Sequence, residues 1–248
     1  MTSVPRPAIL VLPAPSAIQR ALPNWLTASR VVLAGVFFAV LTLWRFEDSA
    51  ASSLKVDWML LGAAALFGIA VATDALDGYL ARRWKVESTF GRIMDPFADK
   101  ILVLGALVFL AGPDFWWRFP EGHPARISGH GLQVSGVYPW MAVLMVAREL
   151  LITSIRAVLE GQGVKFSSDW WGKGKMILQS AAIPAILVII ALAPVQPNPG
   201  GEFWKGDTGR VMIDLIVWTT LVVTVLSGVP YVVRCFHELA RNRGRQRA

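Results

Sequence analysis

Apolar residues gather in six long runs along the chain, near residues 25–44, 58–78, 93–112, 138–160, 175–194 and 211–234, with short polar segments between them. Each run approaches the ~20 residues that a helix needs to cross the hydrocarbon core of a bilayer. The apolar positions are continuous rather than alternating, which argues against barrel strands. A backbone in lipid must also satisfy its hydrogen bonds within its own segment. The pattern therefore predicts an all-α, polytopic integral membrane protein with six transmembrane helices. Pro/Gly clusters such as "APVQPNPGGE" at 193–202 mark the connections.

The ends of the chain are different. Residues 1–24 are rich in proline and have no long apolar core, so they predict a flexible head with a short N-terminal interfacial helix near 18–22 rather than a cleaved signal. Residues 25–238 read as one six-span domain. Residues 239–248, ending in "RNRGRQRA", read as a basic, unstructured cytoplasmic tail lying against the membrane.

Composition supports this picture: of 248 residues, 54% are hydrophobic and only 17% charged, and mean hydropathy is +0.51. A water-soluble domain is a poor match. The net charge of +7 comes from Lys and Arg concentrated on one set of flanks, including Arg82, Arg83, Lys85, Arg92, Lys165, Lys173, Lys175 and the arginines after Cys235. The positive-inside rule puts that side and both termini in the cytoplasm. The charge then serves topology and attraction to anionic membrane lipids, and no nucleic-acid partner is expected without a soluble basic fold. Cys235 is the single cysteine, which excludes an internal disulfide or a Cys-rich metal site. His123, His130 and His237 are isolated. Of eleven tryptophans, Trp25, Trp44, Trp58, Trp116, Trp117, Trp140, Trp170, Trp171 and Trp204 fall near run ends, where an aromatic belt belongs. Asp214 reads as an interfacial, structural residue.

The chemistry sits in "DALDGYLARRWKVESTFGRIMDPFAD". As a helix, 58–73 covers about 24 Å before Asp74 is reached, so Asp74 and Asp77 lie toward the cytoplasmic end of the second run. Asp95 and Asp99 open the third. The spacings i, i+3 and i, i+4 place each pair on one helix face, and an antiparallel hairpin brings the two pairs to one depth. Each isolated carboxylate would cost at least ~2.5 kcal/mol at the centre of a span, so the cluster calls for cations. Oxygen ligands without Cys or clustered His indicate Mg²⁺, Mn²⁺ or Ca²⁺, and Mg²⁺ best suits work on phosphates. The competing reading pairs these aspartates with Arg82, Arg83, Arg92 or Lys100 in salt bridges that fix topology.

The spacing Asp74-x2-Asp77-Gly78-x2-Ala81-Arg82-x8-Gly91-x3-Asp95-x3-Asp99 resembles the signature of the CDP-alcohol phosphatidyltransferase family at every defined position. The resemblance implies a six-helix homodimer that binds CDP-diacylglycerol and two divalent cations, Mg²⁺ or Mn²⁺, at its cytoplasmic face. It further implies Asp74, Asp77, Asp95 and Asp99 as metal ligands and Asp99 as the catalytic base. Gly78, Ala81 and Gly91 would make room for the cytidine, and Arg82 would meet the pyrophosphate. Lys100 either assists there or snorkels beside the cleft.

The acceptor alcohol must be sought elsewhere. In "VARELLITSIRAVLEGQG", Arg148 and Arg156 lie two turns apart on nearly one face, and Arg148 is deep enough in an apolar run to need an interior partner. It either pairs with an aspartate that it orients, or joins Arg156, Lys173 and Lys175 in a pocket for an acceptor phosphate. The two lysines serve equally well as topology anchors. "ARELLITSIR", "GKGKMILQ" and "LPNWLTASRVVLAG" resemble stretches of the phosphatidylglycerophosphate synthase branch of the family, which implies glycerol 3-phosphate as acceptor. Met176 stands where that branch usually carries Thr, and the segment 113–137 is longer than expected. Phosphatidylglycerol and inositol phosphate remain open as acceptors. A reading from another class is a transporter using the aspartates as a cation site, which would call for inverted repeats and interrupted helices that the sequence lacks.

Overall fold

Long apolar stretches without internal breakers fold as helices, and the computed structural model describes residues 17–46, 56–84, 89–117, 132–161, 170–192 and 208–246. The helices are α1 (Ala17–Leu43), α2 (Trp58–Trp84), α3 (Thr89–Leu110), α4 (Pro139–Gly161), α5 (Trp170–Leu192), α6 (Thr208–Leu226) and α7 (Val229–Gln246). Among the described residues, three stretches are long and apolar enough to cross a membrane, Trp25–Leu43, Trp58–Leu76 and Thr208–His237. Lys100–Leu110 and Met176–Leu192 are shorter apolar helices. The architecture is that of a polytopic helical membrane protein.

Three expectations need correction. The segment near 18–22 is the first part of α1 and not a separate interfacial helix. The sixth apolar run is divided at Ser227–Gly228 into α6 and α7. The cause is local: Pro230 has no N–H to donate into α6, whereas near the start of a new helix that loss is harmless. Gly228 restarts the ladder by accepting from Tyr231 N at 3.1 Å. The basic tail continues α7 as helix through Gln246 instead of leaving it as coil.

Helix α1 organises the core. Phe37 meets Phe67 of α2 edge-on, with ring centroids 5.5 Å apart, and Phe38 stacks on Phe109 of α3 at 5.3 Å. The close approach of α1 to α3 depends on Gly105, where a Cβ would collide with the Phe38 ring. Both α1 and α5 pack against α2 and α3, while α2 and α3 touch each other only sparingly. The hairpin is thus held partly open by its neighbours.

The end of the bundle remote from the aspartates is closed by short polar connections. Asp57 caps α2, its Oδ1 accepting from Met59 N and Leu60 N at 3.0 and 3.1 Å. Its Oδ2 accepts from Trp44 Nε1 at 2.6 Å. Trp44 is 3% exposed and packs on Phe115, so it belongs to the core and not to an aromatic belt. Trp25, Trp58 and Trp140 are exposed, as a belt requires. Strand β1 (Trp116–Trp117) pairs antiparallel with β2 (Leu132–Gln133).

Candidate active site

The two aspartate pairs lie on regular helix, as their spacing requires. Asp74 and Asp77 belong to the last three turns of α2, and Asp95 and Asp99 to the first three turns of α3. Gly78, Ala81 and Arg82 continue α2, and Gly91 lies in the first turn of α3. The side chains of Asp77, Ala81, Arg82, Asp95 and Asp99, with those of Lys173 and Lys175 on the first turns of α5, are outside the described residues. Among the described residues no three His, Cys, Asp or Glu form a cluster able to hold a metal ion.

Asp74 is the described member of the quartet, and its partner is Arg30 of α1. Arg30 Nη1 lies 2.5 Å from Asp74 Oδ1, with the arginine 1% exposed and the aspartate 41% exposed. A buried guanidinium fixes one carboxylate oxygen while the carboxylate stays accessible at a cavity of about 380 Å³. That cavity lies among α1, α2, α3 and α5, with Ala70, Leu102, Val103, Met176 and Ser180 also in its walls. It fills the space left where α2 and α3 fail to pack directly. The donor set suits a hard divalent cation: the accessible carboxylate of Asp74, together with three further aspartates at helical spacing in the sequence.

Arg30 had no assigned role in the sequence reading, although it stands in the quoted "LPNWLTASRVVLAG". The signal was present, since an arginine six residues into an apolar run is costly unless it faces the bundle and finds a partner. The proposed pairings of the aspartates with Arg82, Arg83, Arg92 or Lys100 omitted this one.

On the neighbouring side, Lys100 donates to Thr153 Oγ1 of α4, which ties the aspartate-bearing end of α3 to α4. Thr153 in turn donates to the Glu149 carbonyl at 2.8 Å. Arg148 is 9% exposed, and its partners are Glu149 Oε2 at 3.0 Å and Ser227 Oγ at 2.9 Å. Neither is an aspartate, so its orienting role in the metal site is not the contact observed. Arg156 faces the same helix break: its Nη2 is 3.5 Å from Tyr231 Oη, and its guanidinium carbon lies 5.7 Å from the ring centroid. The two arginines share a face as predicted, and that face meets the α6–α7 junction. Gly228 is what admits Arg148, since a Cβ there would stand 3.3 Å from Arg148 Nε.

A helical membrane bundle with a cavity lined by Asp74 and Arg30 is the class of protein that these elements define. The sequence profile of the CDP-alcohol phosphatidyltransferase family matches residues 20–226, and the chain belongs to that family. Among its relatives is the CDP-diacylglycerol–glycerol-3-phosphate 3-phosphatidyltransferase of Bacillus subtilis (strain 168), 30% identical over 213 residues, covering 85% of this chain and 92% of the relative. The Haemophilus influenzae protein of the same name is 32% identical over 215 residues, with 85% and 90% covered. That of Mycoplasma genitalium is 26% identical over 236 residues, with 90% and 87% covered.

Proposed function

We propose that the protein transfers the phosphatidyl group of CDP-diacylglycerol to glycerol 3-phosphate, giving phosphatidylglycerol phosphate and CMP. What supports this reading is the complete aspartate signature in the sequence, carried on α2 and α3, together with a cavity that Asp74 and Arg30 line. The names of the relatives support the acceptor.

The chain's own residues would divide the work as follows. Asp99 accepts the proton of the acceptor's primary hydroxyl as its oxygen bonds to the lipid-bearing phosphorus. The bond from that phosphorus to the CMP oxygen breaks, and CMP leaves as an anion. Arg82 donates bidentately to the pyrophosphate. Gly78, Ala81 and Gly91 keep side chains out of the space that the cytidine fills. Arg30 holds Asp74 in one orientation. Asp74, Asp77, Asp95 and Asp99 would hold divalent cations, Mg²⁺ or Mn²⁺, which when bound neutralise charge on the phosphoryl oxygens and leaving group. Arg148, Arg156, Lys173 and Lys175 are candidates for holding the acceptor's phosphate, Arg148 from its anchored position against Ser227.

The reading also carries six spans, an active end facing the cytoplasm of a bacterial inner membrane, and a homodimer. The test is incubation of the purified protein with CDP-diacylglycerol, Mg²⁺ and one acceptor at a time, following CMP release. CMP release with glycerol 3-phosphate is expected. Release only with phosphatidylglycerol or inositol phosphate would move the protein to a sister branch, and none with any alcohol would sink the enzyme reading.

A further inference from the structure

The acidic end holds a second, smaller pocket, between α3, α4 and α5. Lys100, Glu149, Gln179 and Ser180 line it together with Val103 and Met176. Val103, Met176 and Ser180 also line the larger cavity beside Asp74, so these three residues are the wall between the two. On α3, Val103 follows Asp99 by one turn on the same face, which sets the small pocket next to the position of the proposed base.

Gln179 is the unusual member. It is 4% exposed as a residue and lies beside Ser180 in a largely apolar helix, yet it lines the pocket and none of its side-chain atoms is both fully buried and unpaired. A nearly buried side chain whose carboxamide keeps access to a pocket is placed to meet a ligand or water there. One residue along, Pro184 has no N–H for the Ser180 carbonyl, so that carbonyl loses its intrahelical donor. Polarity is therefore concentrated at a spot that helix packing alone does not require. The pocket's free volume of about 20 Å³ admits one water-sized group. That is room for a single hydroxyl.

We infer that Gln179 is a specificity-determining residue whose carboxamide binds the acceptor's second hydroxyl, the one not consumed in the reaction, and so favours an acceptor that carries that hydroxyl. The inference rests on the proposed phosphatidyl transfer to glycerol 3-phosphate. The carboxamide both donates and accepts, as a hydroxyl does. Lys100 and Glu149 supply a further donor and acceptor at the same pocket.

The test compares glycerol 3-phosphate with 3-hydroxypropyl phosphate, which lacks only the secondary hydroxyl, using the full-length protein in detergent with CDP-diacylglycerol and Mg²⁺. The wild type is expected to favour glycerol 3-phosphate by about tenfold or more in kcat/KM, because a missing hydroxyl leaves the buried amide unpaired. In Gln179→Leu that preference should fall below about threefold. The loss should appear in KM for glycerol 3-phosphate, with KM for CDP-diacylglycerol and the rate on 3-hydroxypropyl phosphate held. The retained rate reports a folded catalyst, and if Gln179→Leu does not accumulate, Gln179→Met carries the same comparison. Unchanged discrimination in the variant, or none in the wild type, overturns the inference while leaving the transferase reading intact. A wild type that releases CMP with neither acceptor overturns both.

Discussion

The two ends of the bundle are built on opposite principles. At the remote end, most polar groups find partners within the chain, Gln133 Oε1 being an exception: Ser135 Oγ donates to the Leu110 carbonyl at 2.6 Å, Arg210 pairs with Asp214 at 2.9 Å, and Arg210 Nη1 donates to the Gln133 carbonyl at 2.6 Å. Asp57 N reaches across to the Ala191 carbonyl at 2.9 Å. At the acidic end, Asp74 keeps an accessible carboxylate beside a cavity, and Gln179 lines a pocket next to it. Paired polar groups stabilise the fold, whereas groups that open on a cavity or pocket are available to something the chain does not supply. Substitutions at the acidic end should therefore impair turnover and spare folding, and substitutions at the remote end should do the reverse.

The largest effect expected is at Asp95. Asp95→Asn keeps the size of the side chain and removes its charge, and should lower turnover by about 100–1000-fold or more with the thermal midpoint in detergent little changed. Initial rates of CMP release, normalised to monodisperse protein, measure it. A near-normal rate would contradict the metal assignment and dissolve the contrast between the ends.

Arg30 should give the next largest effect. With Arg30→Met, Asp74 loses the partner that fixes one of its oxygens. Losing such support of a metal ligand typically weakens metal affinity about 10–100-fold. The Mg²⁺ concentration for half-maximal rate should rise by that factor, and excess Mg²⁺ should restore much of the activity. An unchanged Mg²⁺ dependence, together with a lower thermal midpoint, would make Arg30 a packing residue and shift it to the side of the remote end.

How much of this was legible before folding depends on whether a feature is local in sequence. The helices follow from apolar runs, and the aspartate faces follow from spacings of three and four, both local. The break at Ser227–Gly228 was also legible, in "SGVP", but was passed over inside a long apolar stretch. The Arg30–Asp74 pair joins residues 44 positions apart in different helices, and only tertiary packing decides that it forms. The same holds for Arg148, whose depth announced a buried partner but whose choice of Glu149 and Ser227 over an aspartate did not. Trp44 misled because its place at the end of a run suited an aromatic belt, while Asp57 and Phe115 draw it inward. Gln179 is a polar residue in an apolar helix, a signal visible in the sequence once burial gives it meaning.

The smallest effects, and the sharpest check on the remote end, come from two glycines. Gly136 has φ +71°, and a Cβ there would lie 2.9 Å from Ile213 Cγ2 and 3.3 Å from Asp214 Oδ1. Gly136→Ala thus meets both backbone strain and a crowded neighbour, and should cost about 1–3 kcal/mol, read as a lower thermal midpoint in detergent. Its kcat and KM should match the wild type, because Asp214 and Ile213 lie on α6 at the end away from the aspartates. Gly62, near the start of α2, has nothing within 4 Å of a built Cβ. Gly62→Ala should be neutral or stabilise by up to about 1 kcal/mol through reduced freedom of the unfolded chain. If Gly136→Ala instead lowered kcat at an unchanged midpoint, the two ends would be mechanically coupled, and the division between a structural and a chemical end would fail.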